Sequence, residues 1–288
     1  MKYKSSELII NEDGSIFHLK LKPEDISDTI LLVGDPGRVD LIGEFFEKIE
    51  ITKHNREFKT ITGYYQGKRI TVLSSGIGTD NIDIVINELD ALANINLRTR
   101  ELQEERKQLK FIRIGTSGGI QEDIPVHSFV FSGKAIGFDN LPFFYGIKPE
   151  NTDMTESLKQ ELGWAREQPF PYIVDGSENL ISLFRNREFI EGINISAPGF
   201  YGPQGRQLRI PLADPALNNK IKNFKFQGQK ITNFEMESSA IYALAKFLGH
   251  QAITVCAIIA NRANKEFAGD YKPTIKKLVK KVLDSLTE

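Results

Sequence analysis

Four short stretches of the 288-residue chain gather residue types that bind anions and sugars. Gly34-Asp-Pro-Gly-Arg38 follows an apolar run. Glycines at a strand end free backbone N–H groups to form a concave anion nest at a helix start, and the Arg38 guanidinium adds a forked donor. A plain strand-to-helix turn with a surface arginine is the competing reading. Arg113 sits within the apolar strand Phe111-Ile-Arg-Ile114, where an unpaired cation is costly, and Gly115-Thr-Ser-Gly-Gly119 behind it supplies hydroxyl and N–H donors. A structural salt bridge would also account for it. Two arginines at the ends of two strands, each beside a glycine turn, are what a dianionic phosphate held outside a sheet requires.

In Asn233-Phe-Glu-Met-Glu-Ser238, Glu235 and Glu237 lie two apart, as on an extended segment or a helix entrance. Carboxylates accept bidentate hydrogen bonds from sugar hydroxyls, and Met236 between them can pack a sugar face; acidic residues favoured at a helix N-terminus are the alternative. Phe200-Tyr-Gly-Pro-Gln-Gly-Arg206 places Gln204 and Arg206 around one glycine, with aromatics upstream. Gln offers an acceptor and two donors and Arg only donors, a set that matches an imide edge with two carbonyls and one N–H. A loop with incidental polar residues is the alternative.

Other chemistries lack their residues. His18, His54, His127, His250 and Cys256 are scattered without ligand spacing, so no metal is expected; there is no P-loop lysine, and Gly76-Ile-Gly78 alone is weak evidence of anything. Cys256 lies in the apolar run Ala252 to Ala260 and reads as a buried reduced thiol.

The elements that must hold these residues follow from hydrophobic spacing. Thr29 to Val33, Arg69 to Ser74 and Lys110 to Ile114 read as strands, each ending in glycines. Val39 to Phe46 and Ile82 to Leu92 read as helices, the second with Ile82, Val85, Ile86, Leu89 and Leu92 on one face. Further strands are expected at Phe129 to Ala135, Asn194 to Ala197 and Ala252 to Ala260, and helices at Glu237 to Phe247 and Thr274 to Leu286. Strands alternating with helices point to an α/β sheet covered on both faces. The charged stretch Arg98 to Lys110 reads as a solvated helical extension, and Phe138-Asp-Asn-Leu-Pro-Phe-Phe-Tyr145 as an aromatic loop, a candidate for the base entrance. No repeat or linker divides the chain, so residues 1–288 are expected to form one domain.

Lys and Arg number 37 against 38 Asp and Glu, a net charge of -1, which gives no field for gathering nucleic acid or an anionic membrane. With 40% hydrophobic and 26% charged residues, the chain is neither disordered nor a bare coiled coil. Met1 to Ser15 lacks the apolar stretch of a signal peptide and no segment is apolar enough to span a bilayer, so a cytoplasmic location is expected.

Taken together, these clusters resemble the nucleoside phosphorylase family, of the uridine phosphorylase type. The resemblance runs from Ile16-Phe-His-Leu19 through Gly34–Arg38, His54-Asn-Arg-Glu-Phe58, Gly76–Gly78, Arg113–Gly119, Phe200–Arg206 and Phe234-Glu-Met-Glu237 to Ile258-Ile-Ala-Asn-Arg262. It implies a three-layer α/β/α sandwich with a mixed, partly barrel-like central sheet, and hexamers built of dimers. It implies a phosphate site of Gly34, Arg38, Arg113 and Thr116, joined by Arg56 from a neighbouring subunit. Ribose contacts would be Met236 and Glu237, with Glu235 beside them and His18 reaching across the dimer to the 5′-hydroxyl. Gln204 and Arg206 would read the pyrimidine edge, Phe200 would stack on the base, and Ile259 and Ala260 would line the pocket. The implied reaction is uridine plus phosphate to uracil plus ribose 1-phosphate, with no cofactor, phosphate as co-substrate, and Arg206, Gln204 and Glu237 carrying the chemistry. Purine-cleaving relatives place an aspartate where Asn261 stands here. A monovalent cation near Glu57 is left open.

Overall fold

The computed structural model describes residues 2–148, 150–185 and 187–287. Its first strand, β1 (Thr29–Val33), is buried along its whole length, as a parallel strand covered on both faces must be. Period-two alternation splits it. Ile30 and Leu32 join one core with Ile82, Val85, Ile86 and Leu89, while Leu31 and Val33 join another with Val39, Ile42, Leu278 and Val279.

The elements that follow are α1 (Pro36–Gly43), β2 (Lys48–Asn55), β3 (Phe58–Tyr65), β4 (Lys68–Ser74), α2 (Thr79–Asn94), β5 (Ile95–Asn96), β6 (Glu101–Leu102), β7 (Lys110–Gly119) and β8 (Phe129–Gly137). Next come α3 (Leu141–Phe144), α4 (Thr152–Leu162), β9 (Tyr172–Asp175), α5 (Glu178–Phe184), β10 (Ile190–Ser196) and α6 (Leu217–Asn223). The chain ends with β11 (Lys225–Phe226), β12 (Gln229–Glu235), α7 (Ser238–Phe247), β13 (Gln251–Asn261), β14 (Glu266–Phe267) and α8 (Lys272–Thr287).

One mixed sheet runs β11-β12-β10-β8-β13-β7-β1-β4-β3-β2. It closes on itself, because β12 also pairs antiparallel with β7 through Asn233↔Gly119 and Phe234↔Gly118. Strands β7, β12, β10, β8 and β13 thus form a five-stranded barrel, and β1, β4, β3 and β2 extend from it as an open wing. Helices α2 and α7 cover one face of the wing and barrel, α1, α5 and α8 the other, and α4 and α6 pack on the far side of the barrel with Ile193, Ile195 and Ile231. The expected sandwich with a partly closed sheet is therefore present. No helix among the described residues is long and apolar enough to cross a membrane.

Three expectations need correction. Residues 98–110 do not form a helix; apart from the two-residue β6 and Lys110, which opens β7, they are turn and extended chain. The apolar residues of this stretch, Leu102 and Leu109, are too few and too far apart to give a helix a packing face. Tertiary partners fix the extended path instead: Asn94 Oδ1 accepts Lys107 N–H at 2.7 Å, and Leu109 N–H donates to His250 Nδ1 at 3.1 Å. Strand β7 does not end at Ile114 but continues through Gly119, because β13 pairs with it along that length. Helix α7 starts at Ser238, with Glu237 as its N-cap residue.

Candidate active site

Strand ends and the turns after them converge at one edge of the sheet. Between them lies a cavity of about 680 Å³, within the range of small-molecule sites. Gly34 and Arg38 reach it from the β1–α1 turn, Arg113 and Thr116 from β7, and Glu235, Met236 and Glu237 from the end of β12. Phe200, Gln204 and Arg206 reach it from the loop after β10, and Ile259 and Ala260 from β13.

In the β1–α1 turn the Asp35 carboxylate caps Gly37 N–H at 2.9 Å, with Pro36 as the first helical residue. This points Arg38 inward, where its Nη1 donates to Ile114 O at 3.1 Å. Burial, and then the neighbouring Arg113, push the Arg38 pKa down, so an anion here relieves two like charges.

Arg113 is 6% exposed and is paired as well as poised. Its Nη2 bonds Glu237 Oε2, and its Nη1 lies 3.5 Å from Glu235 Oε2. Burial alone would lower its pKa, but the two carboxylates outweigh burial and hold it above the arginine range. Two carboxylates share this one guanidinium, and burial pushes the Glu237 pKa up against the pull of Arg113. The salt-bridge reading of Arg113 is thus met, and the paired guanidinium still borders the cavity. Glu237 Oε1 also accepts Gly78 N–H at 2.8 Å, from a turn in which Gly78 has φ 98°.

At the other side of the cavity Gln204 is 3% exposed. Arg206 Nη1 donates to Gln204 Oε1 and to Phe200 O, both at 2.6 Å, and its guanidinium lies 3.8 Å above the Phe200 ring. One face of Phe200 is therefore already covered by Arg206, and the residue remains 50% exposed.

His18 and Arg56 do not line this cavity. Asn55 Nδ2 donates to His18 O at 2.7 Å, which places the His18 loop beside the β2–β3 turn, where Arg56 is exposed with φ 54°. His18 Nδ1 is bonded to Glu88 Oε1 at 2.6 Å. The aromatic loop also lies elsewhere: Phe138 packs on Trp164, ring centroids 4.5 Å apart, and Tyr145 bonds Asp83 on α2, so the loop borders neighbouring cavities and not the Gln204–Arg206 end of this one. Its aromatics find partners on α2 and on the chain after α4, away from the Phe200–Arg206 turn.

A family model described as the phosphorylase superfamily matches residues 28–287. The chain belongs to that superfamily. The uridine phosphorylase of Thermococcus kodakarensis is 30% identical over 272 residues, covering 92% of this chain and 84% of that protein. A purine nucleoside phosphorylase of the DeoD type from Buchnera aphidicola is 26% identical over 255 residues, 87% of this chain and 89% of that one. A crystal structure of a Trypanosoma brucei nucleoside phosphorylase, described as showing uridine phosphorylase activity, matches with a TM-score of 0.89 at 29% identity, covering 97% of this chain and 99% of that one.

Two participants of this phosphorylase-superfamily site carry no role in the sequence reading. Gly78 supplies the N–H that holds Glu237. Arg262 donates from Nη2 to Gln204 Oε1 at 2.9 Å and stacks on Phe234 at 4.6 Å, while its Nε and Nη1 have no partner among the described residues. Burial, then the charge of Arg206, pushes the Arg262 pKa down to about 9. The signal is present in Asn261-Arg262, a cation directly after a buried strand. Asn261 itself is 1% exposed and turns away, donating to Gln121 O at 2.8 Å and Ile124 O at 2.7 Å. Cys256 is buried beside Arg113, and burial raises its thiol pKa to about 11, so it stays a thiol. Among the described residues no three His, Cys, Asp or Glu side chains are placed to hold a metal ion.

Proposed function

We propose that the chain catalyses reversible phosphorolysis of uridine, giving uracil and ribose 1-phosphate. The observation that carries this reading is one cavity bordered by the Arg38 and Arg113 guanidiniums, by Glu237, and by a Gln204–Arg206 pair with no carboxylate partner among the described residues. Phosphate is the family's co-substrate. Gly34, Arg38, Arg113 and Thr116 would bind it below C1′, and Glu237, Met236 and Glu235 would border the ribose. A phosphate oxygen forms the bond to C1′ as the C1′–N1 bond breaks, and the electron pair leaves on the uracil ring. Arg206 and Gln204 stabilise that anion, which takes a proton from solvent, so no covalent enzyme intermediate is needed. Phe200 offers its uncovered face to the base, and Ile259 and Ala260 close the pocket.

His18 and Arg56 would serve the site of a neighbouring copy, in a dimer-based oligomer that we take to be a hexamer; both lie outside their own cavity and on adjoining loops. Residues 1–288 are read as one domain, which the continuous sheet supports, and a cytoplasmic enzyme acting on small molecules is the setting that fits. A purine substrate is disfavoured because Asn261 is committed to two backbone carbonyls and has no acidic proton.

Purified protein given uridine should release uracil only when inorganic phosphate is present. Equal release without phosphate would mean hydrolysis and overturn the proposal.

A further inference from the structure

Glu237 begins α7 but does not cap it. An N-cap side chain normally accepts the next free N–H groups of its own helix. The Glu237 side chain makes no such bond; it turns instead to Arg113 and Gly78. Other residues must then satisfy the first turn, because buried N–H groups left unpaired are costly. Glu235 Oε2 accepts Glu237 N–H at 2.9 Å and Ser238 N–H at 3.0 Å, and Ser196 Oγ accepts Ser239 N–H at 2.9 Å while donating to Glu235 Oε1 at 2.5 Å. Asn194 Nδ2 donates to Ser238 Oγ at 2.9 Å.

The same turn is held from outside the barrel. Asp139, on the loop after β8, accepts Ser239 Oγ at 3.1 Å and Tyr172 OH at 2.8 Å through Oδ2, and Leu141 N–H at 2.8 Å through Oδ1. Tyr172 OH lies 3.0 Å from Ser239 Oγ, so three side chains from three elements meet at one point of α7. No cation among the described residues is bonded to Asp139, and burial raises its pKa above the usual carboxylate range. A half-buried carboxyl with no cation bonded to it thus stands on a loop that does not line the cavity.

We propose that Asp139 is a positioning residue: through Ser239 it fixes the first turn of α7 and so holds Glu237 facing the cavity instead of capping its own helix. Glu235 then acts mainly as the cap that Glu237 does not provide, its side chain 1% exposed and occupied by bonds within the protein. The inference rests on the reading that Glu237 orients the sugar. Arg38 is carried by α1 and held by Ile114 O, whereas Arg113 is bonded to Glu237, so loosening α7 acts first on the nucleoside and reaches phosphate only through Arg113.

The test uses Asp139→Asn, Ser239→Ala and the double variant of the full chain. The amide introduced by Asp139→Asn would present an N–H₂ group or a single acceptor where Ser239 and Leu141 both need an acceptor, and alanine removes the hydroxyl. Each single change should lower kcat/KM for uridine about fivefold, the size of one buried hydrogen bond, with KM for phosphate changing by less than that factor. The double variant should be no worse than the weaker single, because both break one path. Amide hydrogen exchange at Glu237, Ser238 and Ser239 should speed up in all three. Multiplying effects, a rise in KM for phosphate by the same factor, or unchanged kcat/KM would overturn the proposal, as would unchanged exchange. Wild-type protein that fails to cleave uridine while the variants still speed exchange would count against the proposed reaction and leave the brace standing.

Discussion

Replacing Arg113 with methionine removes the one guanidinium between the Glu235 and Glu237 carboxylates, whose side chains are 1% and 3% exposed. Breaking a buried pair by deleting one partner costs about 3–5 kcal/mol, because the remaining charge is left without compensation. For a chain of this size that corresponds to a fall in Tm of roughly 10 °C. The loss should depend on pH. Burial pushes Glu237 up and Arg113 pulls it down; without Arg113, burial and Glu235 both push up and the Gly78 N–H is left to oppose them. A carboxyl whose folded pKa exceeds its unfolded value holds its proton longer when folded. Stability is then lost as pH rises from the unfolded value through the folded one, and regained on acidification. Thermal melts at matched protein concentration should therefore show a larger wild-type-to-variant gap at about pH 8 than at about pH 5. A gap below about 1 kcal/mol, or one of equal size at both pH values, would refute the idea that this guanidinium compensates two buried carboxylates.

Arg206→Ala should lower kcat for uridine by about 10²–10³ through loss of one charge-stabilising donor, while its melting temperature stays near wild type because the side chain borders a cavity. Arg262→Met removes one of the two donors that fix the Gln204 amide oxygen, and should reduce discrimination between uridine and cytidine about tenfold in competition assays. Unchanged discrimination would mean that Arg206 alone orients the amide. Co-expressed Arg206→Ala and His18→Ala/Arg56→Ala chains should regain about a quarter of wild-type activity, since half the dimers are mixed and each holds one complete site. No recovery would argue against sites completed by a second copy.

Much of the cavity was legible because its residues break local rules. An arginine inside an apolar strand and glycines at strand ends have few purely structural explanations, and Arg38, Arg113 and Glu237 do meet. Strands read well where both faces are buried, as in Thr29–Val33. They read poorly where one face is wet: β2 has no fully buried residue, and its hairpin with β3 went unassigned. Residues 98–110 carried helix propensity without an apolar face, and tertiary partners such as Asn94 decided their path. The Asp139–Ser239–Ser196 path was invisible because its members lie on β10, α7 and an irregular loop, and only the closure of the barrel brings them together. Gly78 looked like an ordinary turn glycine until its N–H was seen to point at Glu237.

The seam where β12 meets β7 consists of only two rungs, at Asn233 and Phe234, immediately ahead of the acidic pair, and Arg113 hangs from the same hoop. The proposed anchors for the anion and for the sugar are consequently not separate lobes that approach on binding, but two points on a single closed band of backbone. Whatever accommodates an incoming substrate must then be sought in the peripheral turns, around Ile77 at 66% exposure and Phe267 at 67%, which border the mouth without belonging to the ring.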